Sequence, residues 1–194
     1  FRIDGINIDD RCGTSVSNAG DVNGDGFDDL IVGATVRNGA GYNEAGQCYI
    51  VFGKADGFSA TLSPSSLTGL NGFRILGTDG SDAVGYSVSA AGDINGDGFE
   101  DILIGDANAD PGGYSYAGAT YVVFGKADGF SSTLNLSSLT GSNGFRIDGI
   151  DTLDVSGWSI SSAGDVNNDG LDDILIAAYR ANAGAGVGQG ESYI

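Results

Sequence analysis

Asp21-Val-Asn-Gly-Asp-Gly-Phe-Asp-Asp29 occurs in three versions along one chain. The others are Asp93-Ile-Asn-Gly-Asp-Gly-Phe-Glu-Asp101 and Asp165-Val-Asn-Asn-Asp-Gly-Leu-Asp-Asp173, at a constant spacing of 72 residues. Self-similarity at a long, fixed period means stacked or radially arranged units. Every copy places side-chain oxygens at positions one, three, five and nine of a tight turn. That pattern suits a hard cation such as calcium, which takes about six to eight oxygens at about 2.3–2.6 Å.

Short apolar runs surround each loop. Ahead of it come Phe1–Gly5, Phe73–Gly77 and Phe145–Gly149, then Gly13–Ser17, Gly85–Ser89 and Gly157–Ser161. After it come Leu30–Val32, Ile102–Ile104 and Ile174–Ile176, then Cys48–Phe52, Thr120–Phe124 and Ser192–Ile194. These runs are β-branched or aromatic and bounded by Gly, Asp and Asn, so they read as strands. No sustained helical period is present; residues 63–68 and 135–140 have room for one helical turn. Four short strands per repeat predict an all-β protein made of β-propeller blades of four antiparallel strands. The units are residues 1–72, 73–144 and a shorter 145–194, about three blades.

Two rivals for the loop fail on its surroundings. An EF-hand needs a bidentate Glu at position twelve and flanking helices, but position twelve is Val32, Ile104 or Ile176, inside a predicted strand. A metal-free Asn-Gly or Asp-Gly hairpin accounts for one copy. It does not account for three copies with every oxygen position kept. The predicted calcium ligands are therefore Asp21, Asn23, Asp25 and Asp29 with the carbonyl of Phe27. The second set is Asp93, Asn95, Asp97, Phe99 and Asp101, and the third is Asp165, Asn167, Asp169, Leu171 and Asp173. The neighbouring acids Asp28, Glu100 and Asp172 point the other way on strand alternation. Phe27, Phe99, Leu171 and Trp158 are expected to pack between blades.

Composition narrows the function. With 26 acidic and 8 basic residues the net charge is −18, which disfavours nucleic acid and anionic lipid as partners. There is no His, so the commonest general base and zinc ligand are missing. No Gly-x-Ser-x-Gly elbow or phosphate-cradling Gly-Lys loop occurs, so the chain reads as non-catalytic. No apolar stretch is long enough for a membrane helix. Cys12 and Cys48 fall on strands one and three of one blade, roughly 10 Å apart at about 4.8 Å per strand, and read as unpaired thiols. The chain opens on Phe1 without Met and stops within a strand, and is expected to be a piece of a longer protein.

With these residues in hand, the chain resembles the FG-GAP repeats of integrin-α-type propellers, in particular bacterial integrin-like repeats. Phe52-Gly53 and Phe124-Gly125 match the Phe-Gly element, and Val32-Gly-Ala34 and Ile104-Gly-Asp106 correspond to the Gly-Ala-Pro element. Thr35 and Ala107 replace its proline, and the third unit has Ala177-Ala178. The resemblance implies a calcium-stabilised propeller, extracellular or on the cell surface, that binds proteins or glycans.

Strand alternation puts the cation loops on one face and the two-to-three and four-to-one loops on the other. The second face carries Arg37, Tyr42, Tyr114, Tyr116, Tyr179 and Arg180, anchor types at interfaces. These are the candidate ligand-binding residues. Arg2, Arg74 and Arg146 recur in every unit and are expected to pair with framework acids. Propellers have about four to eight blades, so three leave open edges. Either the rest of the ring lies elsewhere in a longer chain or two copies close one ring, with Phe1–Gly5 of one copy completing the last blade of the other. Three functions remain: a calcium-binding adhesion or recognition module, a structural spacer, and an accessory propeller of a larger secreted enzyme.

Overall fold

The structure is a computed structural model and describes residues 1–35, 45–182 and 188–194. The chain opens with β1 (Arg2–Ile3). A first blade follows, built from β2 (Cys12–Gly20), β3 (Asp29–Ala34) and β4 (Gln47–Val51); after a short β5 (Thr61–Leu62), β6 (Gly72–Leu76) closes it. The second blade holds β7 (Ser87–Gly92), β8 (Asp101–Asp106) and β9 (Ala119–Val123); after β10 (Thr133–Asn135), which joins the first blade's sheet, β11 (Gly144–Asp148) closes it. The third has β12 (Ser156–Gly164), β13 (Asp173–Ala178) and β14 (Glu191–Tyr193). The main strands of a blade are antiparallel and share one register. Val16, Val32, Tyr49 and Arg74 lie in a row across the first, and Val88, Ile104, Tyr121 and Arg146 across the second.

The apolar runs are continuous because both faces of a blade are covered. Ile102 and Ile104 point to the first blade, where they join Ile31, Ile50, Phe73 and Ile75. Leu103, between them in sequence, points to the third and meets Val122, Ile160 and Ile176. Alternation therefore divides one strand between two cores, and every position is apolar.

Blades meet along their inner strands through backbone. Ser15 Oγ donates to the carbonyl of Gly85 at 2.7 Å, and Ser87 Oγ donates to that of Gly157 at 2.8 Å. A Cβ on Gly33 would lie 2.1 Å from the Gly85 oxygen, and one on Gly105 would lie 2.2 Å from the Gly157 oxygen. The first Gly of the Gly-Ala-Pro element is thus a spacing device. Ala177 stands at the same position in the third blade.

Short fifth strands complete the pairing and leave no signal in the sequence. β5 runs parallel to β1, and β10 runs parallel to β6, with Thr133 opposite Arg74. Each is clasped by aromatic stacking: Phe1 on Phe58 at 4.1 Å and Phe73 on Phe130 at 4.2 Å, with Lys54 and Lys126 over the outer rings. Strands of two and three residues carry no periodicity to read, and their partners are far away in sequence. The helical turns expected in the same connections are 3₁₀ turns at Pro64–Ser66 and Leu136–Ser138.

Arg2 pairs with Asp4 at 2.6 Å and Arg146 with Asp148 at 2.5 Å. Leu76 occupies the acid position in the second unit, and there Arg74 turns to the Thr133 hydroxyl at 3.3 Å. Cys12 on β2 and Cys48 on β4 are both free, with β3 between them. Among the described residues no helix is long and apolar enough to cross a membrane.

Gly105→Ala should destabilise the chain by about 1–3 kcal/mol in urea titrations, because the blades cannot part without breaking the Ser87 bond. A midpoint unchanged by this substitution would mean that the glycine spacing is not needed.

Candidate functional site

The three loops join the first and second strands of their blades and repeat one hydrogen-bond pattern. In the first, Asp21 accepts the amides of Asp25 and Gly26 at 3.0 and 2.8 Å, Asn23 accepts that of Asp25 at 2.9 Å, and Asp25 accepts that of Phe27 at 3.0 Å. Asp93, Asn95 and Asp97 reproduce these bonds, as do Asp165, Asn167 and Asp169. The turn is thus pre-shaped by its own side chains, each folded onto nearby amides. Among the described residues no three acidic side chains converge on one point. In this arrangement the predicted ligands share a turn and spend oxygens on backbone donors.

Position nine has a second duty. Asp29 is buried, and its two oxygens accept the amides of Val22 at 3.1 Å and Gly53 at 2.8 Å. Asp101 does the same with Ile94 at 3.2 Å and Gly125 at 2.9 Å. Each carboxylate ties its loop to the end of the third strand. Burial pushes both up to about 7 against the lowering of those amide bonds, and the two loop carboxylates nearby add to the rise. Asp173 keeps the Val166 bond at 2.9 Å but is less buried.

Adjacent loops also touch. A Cβ on Gly24, whose φ is +73°, would lie 2.4 Å from the ring of Phe99, and one on Gly96 would meet Leu171 at 3.0 Å. Asn168 holds the matching position of the third loop at φ 61°. Position seven of one loop therefore covers position four of the loop before it, as the sequence led us to expect for Phe99 and Leu171. Phe27 and Leu171 are exposed, and Phe99 is half-buried. The acids left out of the ligand sets reach back the same way. Asp172 accepts the Asp93 amide at 3.0 Å, and Glu100 sits against Gly20, where burial and the Asp172, Asp93, Asp28 and Asp21 carboxylates raise its pKa.

The FG-GAP repeat model matches residues 13–51, 84–123 and 156–194. The chain belongs to the FG-GAP repeat family. It is 31% identical to integrin alpha pat-2 of Caenorhabditis elegans, over 90% of this chain and 14% of that protein. It is 31% identical to the phosphatidylinositol-glycan-specific phospholipase D of Bos taurus, over 90% of this chain and 19% of that protein. Integrin alpha-4 of Xenopus laevis is 29% identical over 94% of this chain and 16% of its own length. The chain thus spans less than a fifth of each of these relatives. Its three FG-GAP repeats form a partial propeller of about three blades. The Phe-Gly element now has a physical meaning. Its glycine amide is the one that Asp29 or Asp101 accepts, and a Cβ on Gly53 would lie 2.4 Å from the Asp28 carbonyl.

The opposite face of the FG-GAP blades carries the other candidate residues. Tyr114 and Tyr116 are exposed on the β8–β9 connection, where the Tyr116 amide donates to Asp110 at 2.7 Å. Tyr179 and Arg180 follow β13, and the Arg180 guanidinium lies 5.3 Å from the Tyr179 ring centre. Arg37 and Tyr42 fall outside the described residues. Asp106 was not singled out by sequence, although Ala34 and Ala178 fill the equivalent positions. It is fully buried, accepts the Ala83 amide at 2.8 Å through one oxygen, and has no partner on the other. Burial pushes it up to about 7, with Asp82 adding repulsion.

A carboxyl raised in the folded state holds its proton after the unfolded chain has lost it. Its contribution to stability therefore falls as pH rises from about 4 to about 7. Asp106→Asn should reduce the loss of stability between pH 5 and pH 8 in paired urea titrations. An undiminished loss would show that Asp106 ionises as an ordinary carboxylate.

Proposed function

We propose that this chain is a calcium-stabilised, non-catalytic recognition module that works outside the cell or on its surface. One observation carries the reading. Three equivalent turns gather nine carboxylates, and among the described residues the ion pairs are Arg2–Asp4 and Arg146–Asp148, both away from the turns. The turns therefore hold unopposed negative charge at close range, which costs stability unless a cation is present. Their donor set of carboxylates, an amide oxygen and a carbonyl is all-oxygen, which suits calcium better than softer metals.

Asp21, Asn23, Asp25 and Asp29 with the Phe27 carbonyl would hold one ion. Asp93, Asn95, Asp97, Asp101 and Phe99 would hold the second, and Asp165, Asn167, Asp169, Asp173 and Leu171 the third. A bound calcium supplies the positive charge that offsets each cluster. The side chains would exchange some backbone amides for the ion, so the turn is formed beforehand and tightened on loading. Because Phe99 and Leu171 rest on the preceding loops, tightening one turn also steadies its neighbour.

Membership of the FG-GAP family and likeness to integrin alpha chains support a recognition role. Likeness to a phospholipase D, of which this chain covers 19%, supports a second setting in which the blades accompany a catalytic domain. In both settings the chain binds rather than catalyses.

Calcium titrated into chelator-treated protein should give heat corresponding to three sites and raise the melting temperature by several degrees. At a hundredfold excess over Kd a single site contributes about 2.7 kcal/mol. Asp97→Asn should remove one site without destabilising the calcium-free chain, because it relieves repulsion there. No heat and no shift in melting would exclude the ion.

A further inference from the structure

At the face opposite the calcium turns, three aromatic rings form a continuous ladder across the junction between the second and third blades. Tyr86 packs on Trp158 with ring centres 4.5 Å apart, and Trp158 packs on Tyr179 at 4.6 Å, the planes tilted by 42° and 46°. The Arg180 guanidinium caps the far end over Tyr179. Trp158 is 39% exposed and Tyr179 is 40% exposed. Trp158 bridges the blades, as its place in the repeat predicts, yet much of its surface remains open.

The repeat shows that the fold does not require these rings. Thr14 is the first unit's equivalent of Tyr86 and Trp158, and Thr35 and Ala107 are the equivalents of Tyr179. In the first blade the same spot is closed by a hydroxyl pair, Thr14 to Thr35 at 3.0 Å. Small residues satisfy the framework there, so the ladder is an addition to it. It is also rigidly placed: Tyr86 immediately precedes β7, Trp158 lies within β12, and Tyr179 immediately follows β13. Exposed aromatic area on a fixed scaffold, beyond what packing needs, marks a binding surface.

We propose that Tyr86, Trp158 and Tyr179 form a platform for a neutral saccharide, with Arg180 donating hydrogen bonds at its edge. This deepens the recognition reading and rests on it. Charge disfavours both anionic and cationic ligands. A chain at −18 repels anionic glycans and nucleic acid. Arg180 already fills the cation position over Tyr179, so a cationic ligand would meet like charge there. A pyranose with equatorial hydroxyls presents a flat C–H face that fits a ring, while its rim needs hydrogen-bond partners. The two phenols and the guanidinium supply these.

Trp158 is the only tryptophan of the chain, so its emission reports on the ladder directly. Cellotetraose and chitotetraose titrated into the 194-residue chain in calcium buffer should give a saturable emission change with at least one of them. A heparin tetrasaccharide and tetra-lysine should give none. By calorimetry, Trp158→Thr and Tyr179→Thr should each weaken the interaction about tenfold or more. Their melting temperatures should stay near the parent's, since Thr14 and Thr35 show that the framework accepts threonine. No saturable change with either neutral sugar, equal binding by the threonine variants, or a response to tetra-lysine alone would overturn the platform. Calcium stoichiometry measured on the same samples separates the two ideas. Three calcium sites without sugar binding removes the ladder proposal alone, whereas sugar binding without calcium removes the ion alone.

Discussion

Neighbouring blades approach each other through backbone, at a distance that leaves no room for a Cβ on Gly33 or Gly105. The serine hydroxyls of the inner strands then reach the carbonyls of Gly85 and Gly157 across each seam. This close approach sets the spacing of everything radiating outward. It allows Ile102 and Ile104 to fill one core and Leu103 the next. It stacks the acidic turns so that Phe99 rests on Gly24. At the other end of the same strands it brings Tyr86 of one blade onto Trp158 of the next. Ala177 departs from the glycine rule in the last blade, so the repeat is least regular where the ladder is found.

The position-nine aspartates show how a proposed ligand position and a framework position coincide. Asp29 and Asp101 each hold two backbone amides, one from their own turn and one from the Phe-Gly glycine at the end of the third strand. The acidic turn and the Phe-Gly element, which look like separate motifs in sequence, are two halves of one contact. Burial raises the proton affinity of these carboxyls and the neighbouring loop carboxylates add to it. A nearby cation acts in the opposite sense. Calcium in the proposed sites would therefore couple hairpin order to ion supply.

The two faces follow different rules. On the turn face the units repeat nearly the same side chains, which hold the amides of their own turns and cover the neighbouring loop. On the opposite face the units diverge: hydroxyls at Thr14 and Thr35, a buried carboxyl at Asp106, rings at Tyr86, Trp158 and Tyr179. Stability rests on the repeated face and the cores, leaving the other face free to carry binding groups.

Strand order, the all-β class, the blade count and the identity of the turn residues were legible in the sequence, because each depends on local periodicity or on a motif repeated at 72 residues. That the recurring Arg2 and Arg146 pair with acids was legible for the same reason. The parallel fifth strands, the burial of Asp106, the inter-blade reach of Asp172 and Glu100, and the joining of Tyr86, Trp158 and Tyr179 were not. Those contacts join residues from different blades or distant connections. Their proximity comes from the angle and spacing at which one sheet packs on another, and no local pattern in the chain encodes that distance.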